Sequence, residues 1–276
     1  MHLAGNDFVR TIPSEFGLLR GLVQLDVSDN AIVGSIPSEL GNLSSLSILT
    51  LSSNNLEGSV PLQIGNMTAL KGLFLSFNDL TGTLPNFSAL TLLQVFLAGH
   101  NELTGRVPVD FAPSLTTLSL QTNMLTGPIP DELGMHLNLL EVLLLSDNAL
   151  GGPLPATLYN LTNLLDIDVQ SNFLNGTISA DMQRLANWTA VDLWSNSFSG
   201  TIPTEIGRLD QLRSLNMEDN QLTGPIPEAL SSMESLQLLI LSTSSRRFLG
   251  SNESSPRLKL CCRPRGVAVG TGERTG

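Results

Sequence analysis

A period of about 24 residues runs through most of this 276-residue chain and constrains its fold more than any other feature. The segment Leu22-x-x-Leu25-x-Val27-x-x-Asn30-x-Ile32-x-Gly34-x-Ile36-Pro37 returns as Leu46, Leu49, Leu51, Asn54, Leu56, Gly58, Val60 and Pro61. It returns again from Leu70 through Asn78, Leu80, Gly82, Leu84 and Pro85. The anchoring asparagines are Asn6, Asn30, Asn54, Asn78, Asn101, Asn123, Asn148, Asn172, Asn196 and Asn220, spaced 24, 24, 24, 23, 22, 25, 24, 24 and 24 residues apart. Self-similarity at such a period marks a stack of one supersecondary unit, none of which buries its apolar face alone.

Each unit has a physical reading. The Leu-x-Leu alternation has period 2, the signature of a strand. Asn and Gly then turn the chain out of the strand. The Ile-Pro step favours extended backbone before a proline that has no amide hydrogen. A final apolar pair, such as Leu40 and Leu43, brings the return path inward. Stacked units bury one another's leucines at ~1.5–3 kcal/mol each, and their strands lie parallel along one side. The repeated Asn has a structural role: a buried turn leaves backbone donors and acceptors to satisfy, and a carboxamide satisfies both kinds. The low aromatic content, 5%, suits a thin core of layered aliphatics.

These residues resemble the leucine-rich repeat family. The Thr/Ser-Gly-x-Ile-Pro step, as in Thr81-Gly82-Thr83-Leu84-Pro85 and Ser199-Gly200-Thr201-Ile202-Pro203, is similar to that of its plant-type subclass. The resemblance covers residues 1–241. It implies an α/β repeat solenoid, a right-handed superhelix with a concave parallel sheet and a convex face of 3₁₀ or irregular segments. Receptor-kinase ectodomains, receptor-like proteins and polygalacturonase inhibitors are typical of that subclass.

Departures from the period are informative. The unit ending at Asn101 is one residue short, and Val95-Phe96-Leu97-Ala98 allows two registers; turning Phe96 and Ala98 inward keeps Asn101 on the ladder. The next unit is two residues short, around Phe111-Ala112-Pro113, and the unit ending at Asn148 has one extra residue near Met135-His136. Such changes are expected on the convex side. The solenoid is expected over residues 1–242, as about ten repeats without terminal caps. Leu236, Leu239 and Leu241 begin an eleventh unit whose ladder position is Ser244. Residues 243–276, rich in Arg, Ser and Gly, read as a disordered basic tail, either genuine or a gene-model artefact. The tail holds the adjacent Cys261 and Cys262, whose Cα separation of ~3.8 Å is too short for an ordinary mutual disulfide.

Charge narrows the partners. Residues 1–244 hold 7 Lys/Arg against 23 Asp/Glu, whereas residues 245–276 hold 7 against 2. An acidic body argues against nucleic acid and against an anionic membrane surface. No stretch approaches the ~18 apolar residues of a membrane span, and Met1-His2-Leu3-Ala4 does not begin a secretory leader.

Positions flanking the inward leucines face the concave surface and form two patches. Phe74 and Phe77, with Leu97 and His100 one unit on, make an apolar-aromatic patch. Asp166, Asp168, Asp192, Trp194, Asn216, Glu218 and Asp219 make an acidic patch with one exposed Trp. Exposed aromatics beside fixed polar groups suit an interface, with a protein, a basic peptide or a saccharide as ligand. The plain alternative is that these residues only vary and solvate. Carboxylates invite Ca²⁺, but no loop of alternating ligands is present, and no metal or cofactor is expected. Paired carboxylates also invite a glycosidase reading, but here they recur on an open sheet. His2, His100 and His136 lie in different units without a nucleophile beside them. No enzyme is expected.

Sequons begin at Asn42, Asn66, Asn86, Asn160, Asn175, Asn187 and Asn252, and the repeat's own Gly-Asn-Leu-Ser/Thr step generates several of them. Asn42, Asn66 and Asn160 fall on the outer return path, where a glycan would leave the concave face clear. The chain therefore reads as a non-catalytic recognition scaffold, part of an extracellular or plasma-membrane receptor-like protein. The alternatives are a secreted inhibitor of a cell-wall-degrading enzyme, or an intracellular scaffold if Met1 is the true start.

Overall fold

A computed structural model of the chain describes residues 1–241. Ten parallel strands form its main sheet: Gln24–Asp26, Ile48–Thr50, Gly72–Phe74, Val95–Leu97, Thr117–Ser119, Val142–Leu144, Asp166–Asp168, Ala190–Asp192, Ser214–Asn216 and Leu238–Ile240. Each unit supplies one strand, and the register keeps the repeat in step: Leu25 lies opposite Leu49, Leu49 opposite Leu73 and Leu215 opposite Leu239. The central residue of every triplet is buried. The first and third therefore point to the open, concave face, which alternation along a strand requires.

A second parallel sheet runs beside the first, and the sequence reading did not contain it. Eight of its strands lie side by side from Val9–Arg10 through Ala31–Ser35 to Phe173–Leu174, and Ser199–Gly200 pairs with Gln221–Leu222 separately. The apolar alternation here is broken by the glycine, which reads as a turn. That glycine has two reasons to repeat, both visible at Gly105. Its φ is +84°, a region L side chains avoid. A Cβ there would also stand 2.8 Å from Cγ2 of Thr83, which fills the space from the preceding unit.

Among the described residues the return path carries seven 3₁₀ turns: Ser14–Leu18, Ser38–Asn42, Leu62–Asn66, Ala156–Asn160, Ala180–Arg184, Thr204–Arg208 and Glu228–Ser232. Six are entered from a proline; at Ala180–Arg184 Ser179 takes that place, and its Oγ accepts from the Asp181 amide at 3.1 Å. The length changes all fall on this side. The extra residue near His136 turns the segment Asp131–His136 into a short α-helix. The two short units have no helical turn between Gly82 and Thr117. There Phe87, Phe96 and Phe111 fill the interior, with ring centroids 5.0, 5.9 and 5.9 Å apart. Phe96 and Ala98 are both fully buried, the inward register that keeps Asn101 in line. One continuous column of buried hydrophobic residues, mostly aliphatic, runs from Ile12 to Leu241.

Asparagines join the units. At Asn148, Nδ2 donates to the Leu120 carbonyl of the preceding unit at 3.0 Å, and to Leu145 and Ser146 in its own unit at 3.2 and 3.1 Å. Its Oδ1 accepts the Leu125 amide at 2.9 Å, again from the preceding unit. Asn54, Asn78, Asn101, Asn123, Asn172, Asn196 and Asn220 repeat this pattern of three donated bonds and one accepted. Asn30 does the same with Leu3, Val27, Ser28 and Phe8. Asn6 is exposed and donates only to Leu3 and Ala4 of its own segment. Ser244, the two cysteines and the basic tail expected over 243–276 lie outside the described residues.

This contrast predicts unequal costs. Asn148→Ala takes the acceptor from the Leu125 amide and one of two bonds from each of the Leu120, Leu145 and Ser146 carbonyls, and is expected to cost ~1–3 kcal/mol, whereas Asn6→Ala is expected to cost under ~0.5 kcal/mol, as at an ordinary surface position. Urea denaturation midpoints of the two variants measure the difference; equal midpoints would show that the inter-unit bonds add nothing.

Candidate functional site

The main sheet places the acidic candidates in rows. In register, the third triplet position runs Ser119, Leu144, Asp168, Asp192, Asn216, Ile240 across neighbouring strands. Asp168 and Asp192 are thus side by side, with their strands ~4.8 Å apart. Asp166 occupies the first position beside Val142 and Ala190.

Two of these carboxylates already have work in the fold. Asp168 accepts the Gln170 amide at 3.1 Å and Gln170 Nε2 at 3.4 Å, and the Ser146 side chain bonds to it as well. Asp192 accepts the Trp194 amide at 3.0 Å and Asn216 Nδ2 at 3.2 Å. Asn216 in turn accepts the Glu218 amide at 3.2 Å, and Asp26 the Ser28 amide at 3.1 Å. In four units, then, the last strand residue captures the amide two positions on, an Asx-turn that closes the strand end. Sequence reasoning treated these residues as a patch and missed this. The legible signal was an Asp or Asn recurring at the strand's exit.

Asp166 differs. It is partly buried, and its carboxylate has no hydrogen bond among the described residues. Burial raises its pKa, and the charge of Asp168 adds to the rise. Burial likewise raises Asp168, against the bonds from Ser146 and Gln170, and Asp147 adds to it. At Asp192 burial again dominates; the Trp194 amide and Asn216 oppose it, and Asp168 and Asp166 reinforce it. The three carboxylates form one half-buried group that holds negative charge at a cost. Trp194, two residues past the end of its strand, is partly buried, not exposed as its outward position had suggested. Glu218 is also partly buried, and Asp219 is exposed.

The aromatic candidates divide in the same way. Phe74 folds back along its own strand, so that a Cβ on Gly72 would meet its ring at 2.6 Å, and it is partly buried. Leu97 lies opposite it and is also partly buried. Phe77 stands out instead, 56% exposed, and its ring stacks on that of the partly buried His100 at 4.2 Å with a 9° interplanar angle. Both residues have left-handed backbone, φ +60° and +56°, as does every residue just before a ladder asparagine from Asp29 to Asp219. The repeat turn holds a side chain at this place in each unit, at ~1–2 kcal/mol for a residue other than glycine.

The two patches share one face. From the Phe74 strand to the Asp168 strand there are four strand steps, roughly 19 Å, and to the Asp192 strand five, roughly 24 Å. Among the described residues no group of three or more His, Cys, Asp or Glu is placed to hold a metal ion. A groove of about 660 Å³ lined by Arg106, Pro128, Pro130, Asp131, Pro153 and Pro155 holds none of the candidate residues. No helix among the described residues is long and apolar enough to cross a membrane.

Comparison with known proteins gives the following. The family model described as Leucine Rich Repeat matches residues 21–43, 45–67, 114–135, 139–161, 187–209 and 211–233. A solved TDR receptor is 34% identical with a TM-score of 0.83, over 87% of this chain and 42% of that one. The ectodomain of the Arabidopsis receptor kinase HAESA, solved with an N-terminally extended IDA peptide hormone, is 30% identical with a TM-score of 0.81, over 87% and 41%. A plant ice-binding protein is 30% identical with a TM-score of 0.69, over 86% and 79%. The chain thus spans about two fifths of the length of either receptor. No curated protein matches it.

The state of Asp166 makes a stability prediction. Its folded pKa lies above the unfolded value, so folding disfavours the ionised form, and that penalty disappears as pH falls through the folded pKa. Asp166→Asn is expected to stabilise the protein at pH 7 by less than ~1 kcal/mol after solvent screening, with a smaller gain at pH 4. Denaturation at the two pH values checks this; a loss of stability at pH 7 would mean that the carboxylate is a structural partner.

Proposed function

We propose, from the premise that this chain belongs to the plant-type leucine-rich repeat family, that it is a recognition scaffold whose concave sheet takes an extended peptide or a peptide-like segment of a protein. One observation carries the reading: a stacked aromatic pair and a half-buried carboxylate group lie on one continuous sheet, four to five strands apart. An extended ligand rises ~3.3 Å per residue. Over the roughly 19 Å to the Asp166 strand it would place about five residues between an apolar or aromatic side chain on Phe77–His100 and a Lys or Arg at Asp166. Strand backbone holds the carboxylates and the repeat turn just past the strands holds the aromatic pair, so the ordering cost of binding falls on the ligand. The HAESA ectodomain, solved with a peptide hormone, supports this class of ligand.

The reading is non-catalytic. It makes this chain part of the ectodomain of a cell-surface receptor-like protein, with its binding face outside the cell. A second reading rests on the flank. From Met124 onward the second sheet and its adjoining turns, residues 120–130, 148–165, 169–180, 193–204 and 220–227, contain no charged residue. The flank exposes Thr126, Thr177 and Thr201, and the similarity to an ice-binding protein gives such a surface a use. Inhibition of ice recrystallisation by the purified protein, lost on Thr177→Lys, would favour it.

The peptide reading is tested with an array of extended peptides carrying one aromatic and one Arg at varied separation. Binding is expected to peak at about five intervening residues. Phe77→Ala or the double change Asp166→Asn with Asp168→Asn should weaken it at least about tenfold, ~1.4 kcal/mol. Affinity should fall on acidification at a higher pH than for unperturbed aspartates, since the raised groups protonate sooner. Binding indifferent to the separation would rule the reading out.

A further inference from the structure

The groove of about 660 Å³ belongs to neither concave patch. Its volume lies within the ~300–1,000 Å³ of ordinary ligand sites. It opens where the second sheet passes into the return path, and where the repeat departs from its pattern. On one side Val107 and Val109 belong to a short unit without a helical turn. On the other the extra residue makes Asp131–His136 an α-helix. The lining comes from three successive units, so an occupant is elongated.

The floor also breaks the repeat. At Ser35, Ser59, Thr83, Thr177 and Thr201 the residue after the glycine carries a small hydroxyl. In three successive units it is instead Arg106, Pro128 and Pro153. Each leans on the glycine of the next unit. Arg106 Cγ is 3.4 Å from where a Cβ on Gly127 would stand, Pro128 Cβ 3.5 Å from one on Gly152, and Pro153 Cβ 3.2 Å from one on Gly176. The stem of Arg106 is thus laid across Gly127, and its guanidinium has no hydrogen bond or ion pair among the described residues. With Pro130 and Pro155, four prolines line the groove. They bring ring faces and no amide hydrogen, so a ligand's gain there comes from apolar contact.

Opposite charge marks the two ends. Arg106 follows Gly105, which pairs with Leu125. From that level to Asp131 the chain runs about five residues, at most ~17 Å. Asp131 and Glu132 are both exposed. Thr157 Oγ1 steadies Asp131, donating to its carbonyl at 2.8 Å and its carboxylate at 3.2 Å. Glu132 has no hydrogen bond or ion pair among the described residues.

We propose that this groove is a second recognition site, for an extended segment of another protein that carries an acidic residue, an aromatic residue and a basic residue in succession. The acidic side chain pairs with Arg106, the aromatic ring lies on the prolines, and the basic side chain meets Asp131 and Glu132. Aromatic anchors flanked by matched charge are what such a surface selects. The site shares no residue with the concave face, so both can be filled at once.

The full chain is titrated, at low salt, with dye-labelled octapeptides. Each holds one Glu and one Lys two to five positions apart, with Phe between them and Gly or Ser elsewhere. At least one should bind, and replacing its Phe with Ser should weaken it at least about tenfold. Arg106→Glu should weaken the same peptide as much, and should instead prefer the matching peptide with Lys in both places. Glu132→Lys should prefer the one with Glu in both places. A misfolded variant would lose every peptide, so these reversals separate recognition from folding. Arg106→Glu should leave binding of the concave-face peptides unchanged. No binding by any member, indifference to the Phe, or no reversal of preference overturns the proposal. So does a dimer that Arg106→Glu dissociates in sedimentation, because the occupant is then a second copy of this chain.

Discussion

Everything in this structure depends on how the polar backbone of one unit is satisfied by the next. The leucines explain why units stack, but apolar contact alone would let them slide. The carboxamide of each ladder asparagine removes that freedom, because it bonds two segments of its own turn and two of the preceding unit at once. Buried carbonyls and amides at the turn have no water to turn to. A shift by one residue would leave them unpaired and would also turn the strand's apolar residue outward. Register, burial and turn geometry are therefore one constraint.

That constraint explains where variation is allowed. The concave strand and the asparagine turn are held on both sides by neighbours, so they tolerate no change in length. The return path touches the core only through a few apolar side chains. It can lose its helical turn, as in the units holding Phe87 and Phe111, or tighten an extra residue into an α-helix, as at Asp131–His136. Outward side chains on the strands are free to change in kind but not in place, which is what a binding surface on a rigid frame requires.

The legible part of the fold was the part under this constraint. The ladder, the inward leucines and the inward register of Phe96 and Ala98 followed from spacing alone, since only one alignment keeps Asn101 in line. The second sheet did not, because its apolar alternation is interrupted by a glycine whose purpose, room for Thr83 at Gly105, lies in another unit. The site was legible as a set of outward positions. How far each side chain projects was not, because that depends on lateral neighbours. Phe74 folds over Gly72 while Phe77 stands clear, and Asp168 is engaged by Gln170 while Asp166 is not.

The short units also bear on the face itself. The return segment holding Phe87 lies between Phe77 and His100, and the one holding Phe111 follows directly on His100; both are without a helical turn. Behind the aromatic pair the core is therefore three packed phenylalanines, Phe87, Phe96 and Phe111, in place of a helical turn. The stack on the open face is thus backed by aromatic packing that no ligand there could touch, so a change at any of the three would reach the face only by shifting the strands that carry it.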